Sequence, residues 1–216
     1  MQNDGKELYG YEVQVAEQLA NDLGVKAEFR ILEWEDLIDN LEKNEIDIII
    51  SGMAITPGRA LRVNFTDPYG HSGVSLAANI EKTKDIKSLK ELNSSNVVIG
   101  AVSETVSAAV ASKVFHQATI KPFVKSEAAV EALLKGSIHV LVEASPTPKF
   151  LAIEYPSIVD APLSKPLLSY KAAMAVKKGN QEFLNYLDSW IISRDAEGWL
   201  TAKHKYWFDS LDWKSE

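Results

Sequence analysis

The sequence of 216 residues contains no cysteine, which excludes disulfide bonds and thiolate metal sites. Its four histidines, at positions 71, 116, 139 and 204, show no HxxxH or HExxH spacing, so no zinc site is predicted. Basic residues are in the minority, 23 against 30 acidic ones, and the net charge of −7 argues against nucleic-acid binding, which needs a basic surface. No apolar run is long enough to cross a membrane.

Catalytic motifs are also missing. The sequence shows no nucleophile elbow, no phosphate-binding loop and no metal set, so it predicts no catalytic residue, no metal and no cofactor. What is present suits a globular protein, since 46% of the residues are hydrophobic and the length allows one large domain or two small lobes.

The first fifty residues alternate between helical and strand patterns. Apolar residues from Tyr11 to Asn21 have helical spacing and end at Gly24, and Val25 to Ile31 alternate as a strand. A helix over 36–43 and an isoleucine-rich strand over 46–50 follow. This β-α-β-α-β order predicts an α/β fold with a mostly parallel sheet and helices on both faces.

The stretch NEIDIIISGMAITPGRALRVNFTDPY, residues 44–69, predicts an anion site. The buried strand delivers Gly52, where a ligand can approach the backbone closely. Thr56-Pro57 then starts a short helix that presents Arg59. Free N–H groups beside a planar guanidinium suit a carboxylate bound in bidentate fashion, although a lone arginine is more often solvated.

The order D-I-I-x-S-G-M-x-I-T-P-x-R-A-x-x-V-x-F-T-D-P-Y closely resembles the signature of the amino-acid family of periplasmic solute-binding proteins, family 3 type. The resemblance implies a two-lobe, type II-like fold in which each lobe has a mixed, mostly parallel sheet flanked by helices. It implies that Arg59 clamps a ligand carboxylate, and it places Gly52, Met53, Ala54 and Tyr69 at the ligand site.

Trp34 follows the strand predicted over 25–31, at the strand end where open α/β sheets bind ligands. A core position is equally compatible with the sequence alone, but the resemblance favours the ligand site.

The resemblance also sets the domain boundaries. Residues 1–69 and 171–216 form lobe 1, residues 70–170 form lobe 2, and hinge segments lie at about 69–73 and 168–171, where Gly70 and Gly73 permit dihedral change. In the family a first strand precedes the turn at residues 3–6, so the sequence begins where that strand would have ended. A missing central strand would leave a sheet edge unpaired.

Lobe 2 repeats the alternation, with strands predicted over 97–102, 120–124 and 138–142. Ser126 is predicted to cap the helix over 127–135, and Leu168 to Val176 to form the returning strand. The family's Gly-Thr at a helix start corresponds here to Glu104-Thr105, which keeps the threonine.

The acidic partner of a ligand's α-ammonium group maps onto Ala144, with Glu143 just before it. A buried ammonium group without a counter-charge is costly, so three outcomes are open. Glu143 supplies the charge, Glu104 supplies it, or the ligand has no α-ammonium group.

The function implied is capture of an amino acid or related small carboxylate by lobe closure, for uptake through the membrane permease subunits of an ABC transporter. The resemblance further implies a monomer that is periplasmic or extracellular and membrane-anchored, with a signal sequence outside these residues. Two alternatives are open: an enzyme resembling the cyclohexadienyl dehydratases, with Glu143 or Glu104 as general acid, and the ligand-sensing ectodomain of a membrane signalling protein.

Overall fold

The computed structural model describes residues 2–3, 7–209, 211 and 213. The chain divides into two compact units, one made of residues 1–71 with 170–216 and the other of residues 72–169. Its elements in chain order are β1 (Gln2–Asn3), β2 (Glu7–Leu8), α1 (Tyr11–Leu23), a 3-10 helix (Trp34–Asp36), α2 (Leu37–Glu42), β3 (Ile48–Ile49), α3 (Pro57–Ala60), β4 (Val63–Asn79), α4 (Ile80–Thr83), α5 (Leu89–Leu92), β5 (Val98–Val102), α6 (Val106–Val114), β6 (Thr119–Phe123), α7 (Ser126–Leu134), β7 (Val140–Ala144), α8 (Thr147–Glu154), β8 (Val159–Asp160), β9 (Leu168–Lys177), α9 (Gln181–Ala196) and α10 (Trp199–Asp209).

In the first unit, helices pack around a small sheet. β3 pairs antiparallel with the end of β9, with Ile48 opposite Val176 and Ile49 opposite Ala175. Beside this pair lies a core cluster whose buried members are Leu37, Leu41, Ile49, Met53, Val63 and Ala175. Helix α10 packs against both α1 and α9.

Local signals set the boundaries of α1. Gly24 ends the helix in the left-handed conformation, at φ 68°, as its sequence position predicted. The buried residues of α1 recur at helical spacing: Tyr11, Val15, Leu19 and Ala20.

The strand predicted over residues 25–31 is wrong, because residues 25–33 have no regular secondary structure. The side chains alternate as predicted, but a strand also needs a neighbour to which its backbone can bond. Among the residues that the structure describes, none forms such a ladder with this segment.

The second unit is a mixed sheet with helices. β5 pairs in parallel with both β6 and β7, whereas β7 and β8 pair antiparallel with the final part of β4. Its core cluster is apolar and drawn from strands and helices: Ala77, Ala129, Ala132, Leu133, Ile138, Leu141, Leu151 and Val159.

Two boundaries in this unit differ from their predictions. β7 begins and ends two residues later than predicted, so Ala144 is its last residue and does not lie beyond it. Ser126 is not the cap of α7: Lys125 holds that position, and the Ser126 hydroxyl bonds to Glu143. The buried carboxylate draws the hydroxyl away from the helix start, because a buried acceptor needs a donor more than an exposed N–H does.

Candidate functional site

Arg59 is held in place by its own unit. Thr56 caps the four-residue helix α3 and accepts a hydrogen bond from the Arg59 backbone N–H at 3.3 Å. The Arg59 Nη1 donates to the carbonyl oxygen of Ala54 at 3.1 Å, and the guanidinium lies 5.2 Å from the ring centroid of Trp34. This brings three of the predicted site residues together around one cation.

The guanidinium is partly withdrawn from water. Arg59 is half-buried, and this burial lowers its pKa. The group keeps its charge at any physiological pH, because the ordinary arginine pKa lies so high. A half-buried guanidinium attracts a carboxylate more strongly than a solvated one does.

The predicted residues before Arg59 have different roles. Gly52 has the left-handed conformation at φ +64°, and its N–H donates to the hydroxyl of Tyr69 at 2.8 Å. The Met53 side chain is 1% exposed and lies in the core, while its carbonyl oxygen accepts from the N–H of Ala173 at 3.1 Å. Ala54 contributes the carbonyl oxygen that binds Arg59.

A buried polar chain behind Gly52 was missed by the sequence reasoning. The Tyr69 hydroxyl lies 3.5 Å from Glu12 Oε1, and the Tyr11 hydroxyl donates to the Tyr69 carbonyl oxygen at 2.8 Å. Burial raises the pKa of Glu12 and that of Tyr69. The only signal in the sequence was an acid in the first turn of α1, which usually indicates a dipole contact.

In the second unit, Thr105 starts α6. Its hydroxyl accepts from the Ala108 N–H at 3.1 Å and donates to the Val102 carbonyl oxygen at 2.6 Å. Glu104, just before it, is exposed and has a positive φ of 60°, a conformation that glycine adopts most easily. The predicted pair is therefore adjacent at the start of α6.

Glu143 is a buried acid in the sheet of the second unit. It is 8% exposed, and its Oε1 accepts from the Ala144 N–H at 2.8 Å while its Oε2 accepts from the Ser126 hydroxyl at 3.3 Å. Burial raises the pKa of this carboxyl despite both bonds. Glu143 and Ala144 are opposite Ser75 and Val74 in one ladder, so their side chains point to opposite faces of the sheet.

Metal and membrane features were also sought. Over residues 2–3, 7–209, 211 and 213, no group of three or more histidine or acidic side chains is placed to hold a metal ion. Within the same residues, no helix combines the length and the apolar character that a membrane span requires.

Comparison with known proteins gives a consistent picture. Residues 1–210 match the family described as bacterial extracellular solute-binding proteins, family 3. The chain is 24% identical over 214 residues to the L-cystine-binding protein TcyJ of Escherichia coli K12, covering 96% of this chain and 77% of that relative.

Two crystal structures share the fold and more than a quarter of the aligned residues. One is the putative binding component of an ABC transporter from Wolinella succinogenes DSM 1740 in complex with lysine, with 28% identity, a TM-score of 0.92, and coverage of 100% of this chain and 93% of that one. The other is the ancestral amino acid-binding protein AncCDT-1, described as a precursor of cyclohexadienyl dehydratase, with 27% identity, a TM-score of 0.86, and coverage of 96% and 88%.

Proposed function

Because the chain belongs to the family of bacterial extracellular solute-binding proteins, family 3, we propose that it binds an amino acid or a closely related small carboxylate. The protein delivers this ligand to the membrane permease subunits of an ABC transporter, and it acts as a monomer outside the cytoplasm, free or membrane-anchored. Relatives described as binding cystine and lysine support an amino acid as the ligand class.

The observation that carries the proposal is the setting of Arg59. A guanidinium that is half-buried, tied to the Ala54 carbonyl oxygen and placed over Trp34 has little freedom left to lose on binding. Preorganised donors of this kind bind a carboxylate in bidentate fashion. Gly52 and Met53 support the site from behind, since their backbone groups bond to Tyr69 and Ala173.

The second unit contributes Thr105 and an acidic side chain. Glu143 points to the opposite face from Ala144 and already accepts two hydrogen bonds, which makes it a poor substitute for an acid at position 144. Glu104 is exposed at the start of α6 and is the better candidate for the ammonium group of an amino acid. A carboxylate ligand without an ammonium group is the other outcome.

The test is a calorimetric screen of matched pairs, each an amino acid and its deaminated analogue. A ligand at a hundredfold excess over its dissociation constant raises the unfolding free energy by about 2.7 kcal/mol, so a thermal-shift screen finds candidates first. We expect Arg59→Ala to cost about 2 to 5 kcal/mol of binding energy and Arg59→Lys somewhat less, because lysine keeps the charge and loses the fork.

The matched control is Arg62→Ala. Arg62 is exposed and pairs with Asp39 and Glu42 on the surface, so its removal should leave affinity unchanged. Equal affinity of the Arg59 variants and the original protein would show that another group binds the carboxylate. Glu104→Gln separates the two ligand outcomes, because it should weaken only the amino acid of a matched pair.

A dehydratase is the second candidate, favoured by one observation. A buried carboxyl with a raised pKa, such as that of Glu143, is the kind of group that donates a proton in catalysis. Incubation of the purified protein with prephenate, followed by ultraviolet absorbance, tests this reading. Turnover that Glu143→Gln abolishes would establish the enzyme, and an unchanged spectrum would remove it.

A further inference from the structure

The first unit contains a cavity that the proposed function does not use. It has a volume of about 500 Å³ and is lined by two stretches of backbone, residues 25–30 and residues 45–51. Its other lining residues are mainly apolar and come from three helices: Ala16, Leu19, Ala20 and Leu23 of α1, Leu37 of α2 and Phe183 of α9.

Both backbone stretches have unused hydrogen-bonding groups. β3 bonds along one edge to β9, and a strand presents alternate N–H and C=O groups on its other edge. Among the described residues, no backbone group bonds to that second edge of β3. Residues 26–32 likewise make no backbone hydrogen bond to any described residue. Two bare edges thus line one cavity.

The side chains beside the cavity are unusually apolar for exposed positions. Val25 is 60% exposed, Phe29 38% and Ile31 66%, and they alternate along one side of a segment that has no strand partner. Leu23, at the end of α1, is 38% exposed. Large apolar residues exposed in sequence along one stretch indicate a surface that is meant to be covered.

The chemistry of the cavity limits what can cover it. A small apolar molecule would fill the volume but would leave two rows of N–H and C=O groups without partners. An extended peptide satisfies both rows, because its own groups point alternately to its two sides. The stretch 46–50 has five residues, and at 3.3 Å per residue a partner strand needs about five residues to cover it.

We propose that this cavity binds an extended peptide strand of about five residues with apolar side chains, inserted between residues 25–31 and β3. The inserted strand pairs with both edges and turns the segment 25–31 into a strand of a continuous sheet. Its side chains pack on the apolar face of α1 and on Phe183. The binding is independent of Arg59 and of the small-molecule ligand.

The test uses the whole chain and a synthetic peptide with a central Val-Ile-Val-Ile-Val run and lysines at both ends for solubility. Binding is read from the fluorescence anisotropy of the labelled peptide, and hydrogen exchange maps its place. We expect saturable binding and slower exchange at residues 26–31 and 46–51. The same peptide with alternate backbone nitrogens methylated keeps its side chains and should bind at least tenfold more weakly.

Two variants of the protein make the test specific. Ala27→Pro removes one N–H from a segment without regular structure, so the free protein should keep its thermal midpoint while its peptide affinity falls at least tenfold. Leu61→Ser changes a residue that is 81% exposed and lies outside the cavity lining, and it should leave affinity unchanged.

Three results would overturn the proposal. The first is absence of saturable binding, and the second is equal binding of the methylated peptide, since strand pairing would then play no part. The third is protection of residues 26–31 and 46–51 without peptide together with a dimer in sedimentation. In that case a second copy of the chain occupies the cavity.

Discussion

Glu104 has a backbone conformation that suits a different residue. A side chain at a φ of 60° costs about 1–2 kcal/mol, whereas glycine adopts this conformation freely and loses about 0.5–1 kcal/mol in chain entropy. Glu104→Gly should therefore raise the unfolding free energy of the ligand-free protein by about 0.5–1 kcal/mol in a urea titration. Ala128→Gly, in the exposed part of α7, should lower it by about 1 kcal/mol. A loss in both variants would mean that the contacts of the Glu104 side chain outweigh its strain.

Glu143 makes stability depend on pH in a definite direction. Burial raises its pKa above the ordinary 4.5, so the folded protein holds this proton more tightly than the unfolded chain does. The contribution of Glu143 to stability is therefore present below pH 4.5 and is lost as the pH rises through its folded pKa.

Glu143→Gln cannot ionise and keeps an acceptor for the Ala144 N–H. The variant should be more stable than the original protein at about pH 8, and the two should converge near pH 4. The measurement is the unfolding free energy of both proteins across this range. A difference that stays constant with pH would show that Glu143 titrates normally, because burial of Glu12 and other groups affects both proteins equally.

At the same scale, local motifs were predictable and long-range contacts were not. Arg59 and its Thr56 cap lie three residues apart, and Thr105 caps α6 as its place at a helix start suggested. The contact between Tyr69 and Glu12 joins residues 57 apart in sequence, and no spacing rule connects them. Its effect, that Gly52 donates its N–H inward to Tyr69, was for this reason absent from the sequence-based site.

At the scale of elements, helices were predicted more accurately than strands. The ends of α1 and α6 follow from Gly24 and Thr105, because caps act within one turn. The strand predicted over 25–31 has the right alternation and no ladder, since a strand depends on a neighbour that its own sequence does not specify. The two-residue shift of β7 has no comparable local signal and moves Ala144 from beyond the strand to its last position.

Helix α3 connects local stability with ligand binding. Thr56→Ala removes the cap that accepts from the Arg59 N–H, and because this bond is long, at 3.3 Å, the loss should fall near the low end of the 0.5–2 kcal/mol range. The same loosening should weaken carboxylate binding several-fold by calorimetry, since Arg59 loses its fixed backbone. Thr56→Ser keeps the hydroxyl and should restore both. Affinity lost equally in the serine variant would point to the methyl group instead.

For the whole molecule, the division into two units was approachable from sequence because the chain changes units at recognisable segments. One unit ends at His71 and the other begins at Ser72, inside the glycine-flanked stretch YGHSG, and the return falls between Ser169 and Tyr170. A hinge at these crossings remains a proposal. The sequence did not reveal which of the two glycines is sterically required, because that depends on residues almost a hundred positions away.

Gly70 and Gly73 offer a matched pair for testing the crossing. A Cβ added to Gly73 would lie 2.8 Å from Pro166 Cβ and 2.9 Å from the carbonyl oxygen of Leu168, and backbone at that distance cannot yield without moving the strand. This strand is tied in place, since the Gly73 carbonyl oxygen accepts from the Ser145 N–H at 2.7 Å.

Gly73→Ala should therefore lower the unfolding free energy by about 1–3 kcal/mol, the usual cost of overpacking. At Gly70 the nearest atom to an added Cβ is Tyr11 Cε1 at 3.6 Å, an ordinary contact, so Gly70→Ala should leave stability nearly unchanged. If Gly70 also absorbs dihedral change when ligand binds, its alanine variant should slow association in stopped-flow measurements while its stability stays that of the original protein. Unaltered binding kinetics in a stable Gly70→Ala variant would place the moving residues elsewhere in the crossing segments.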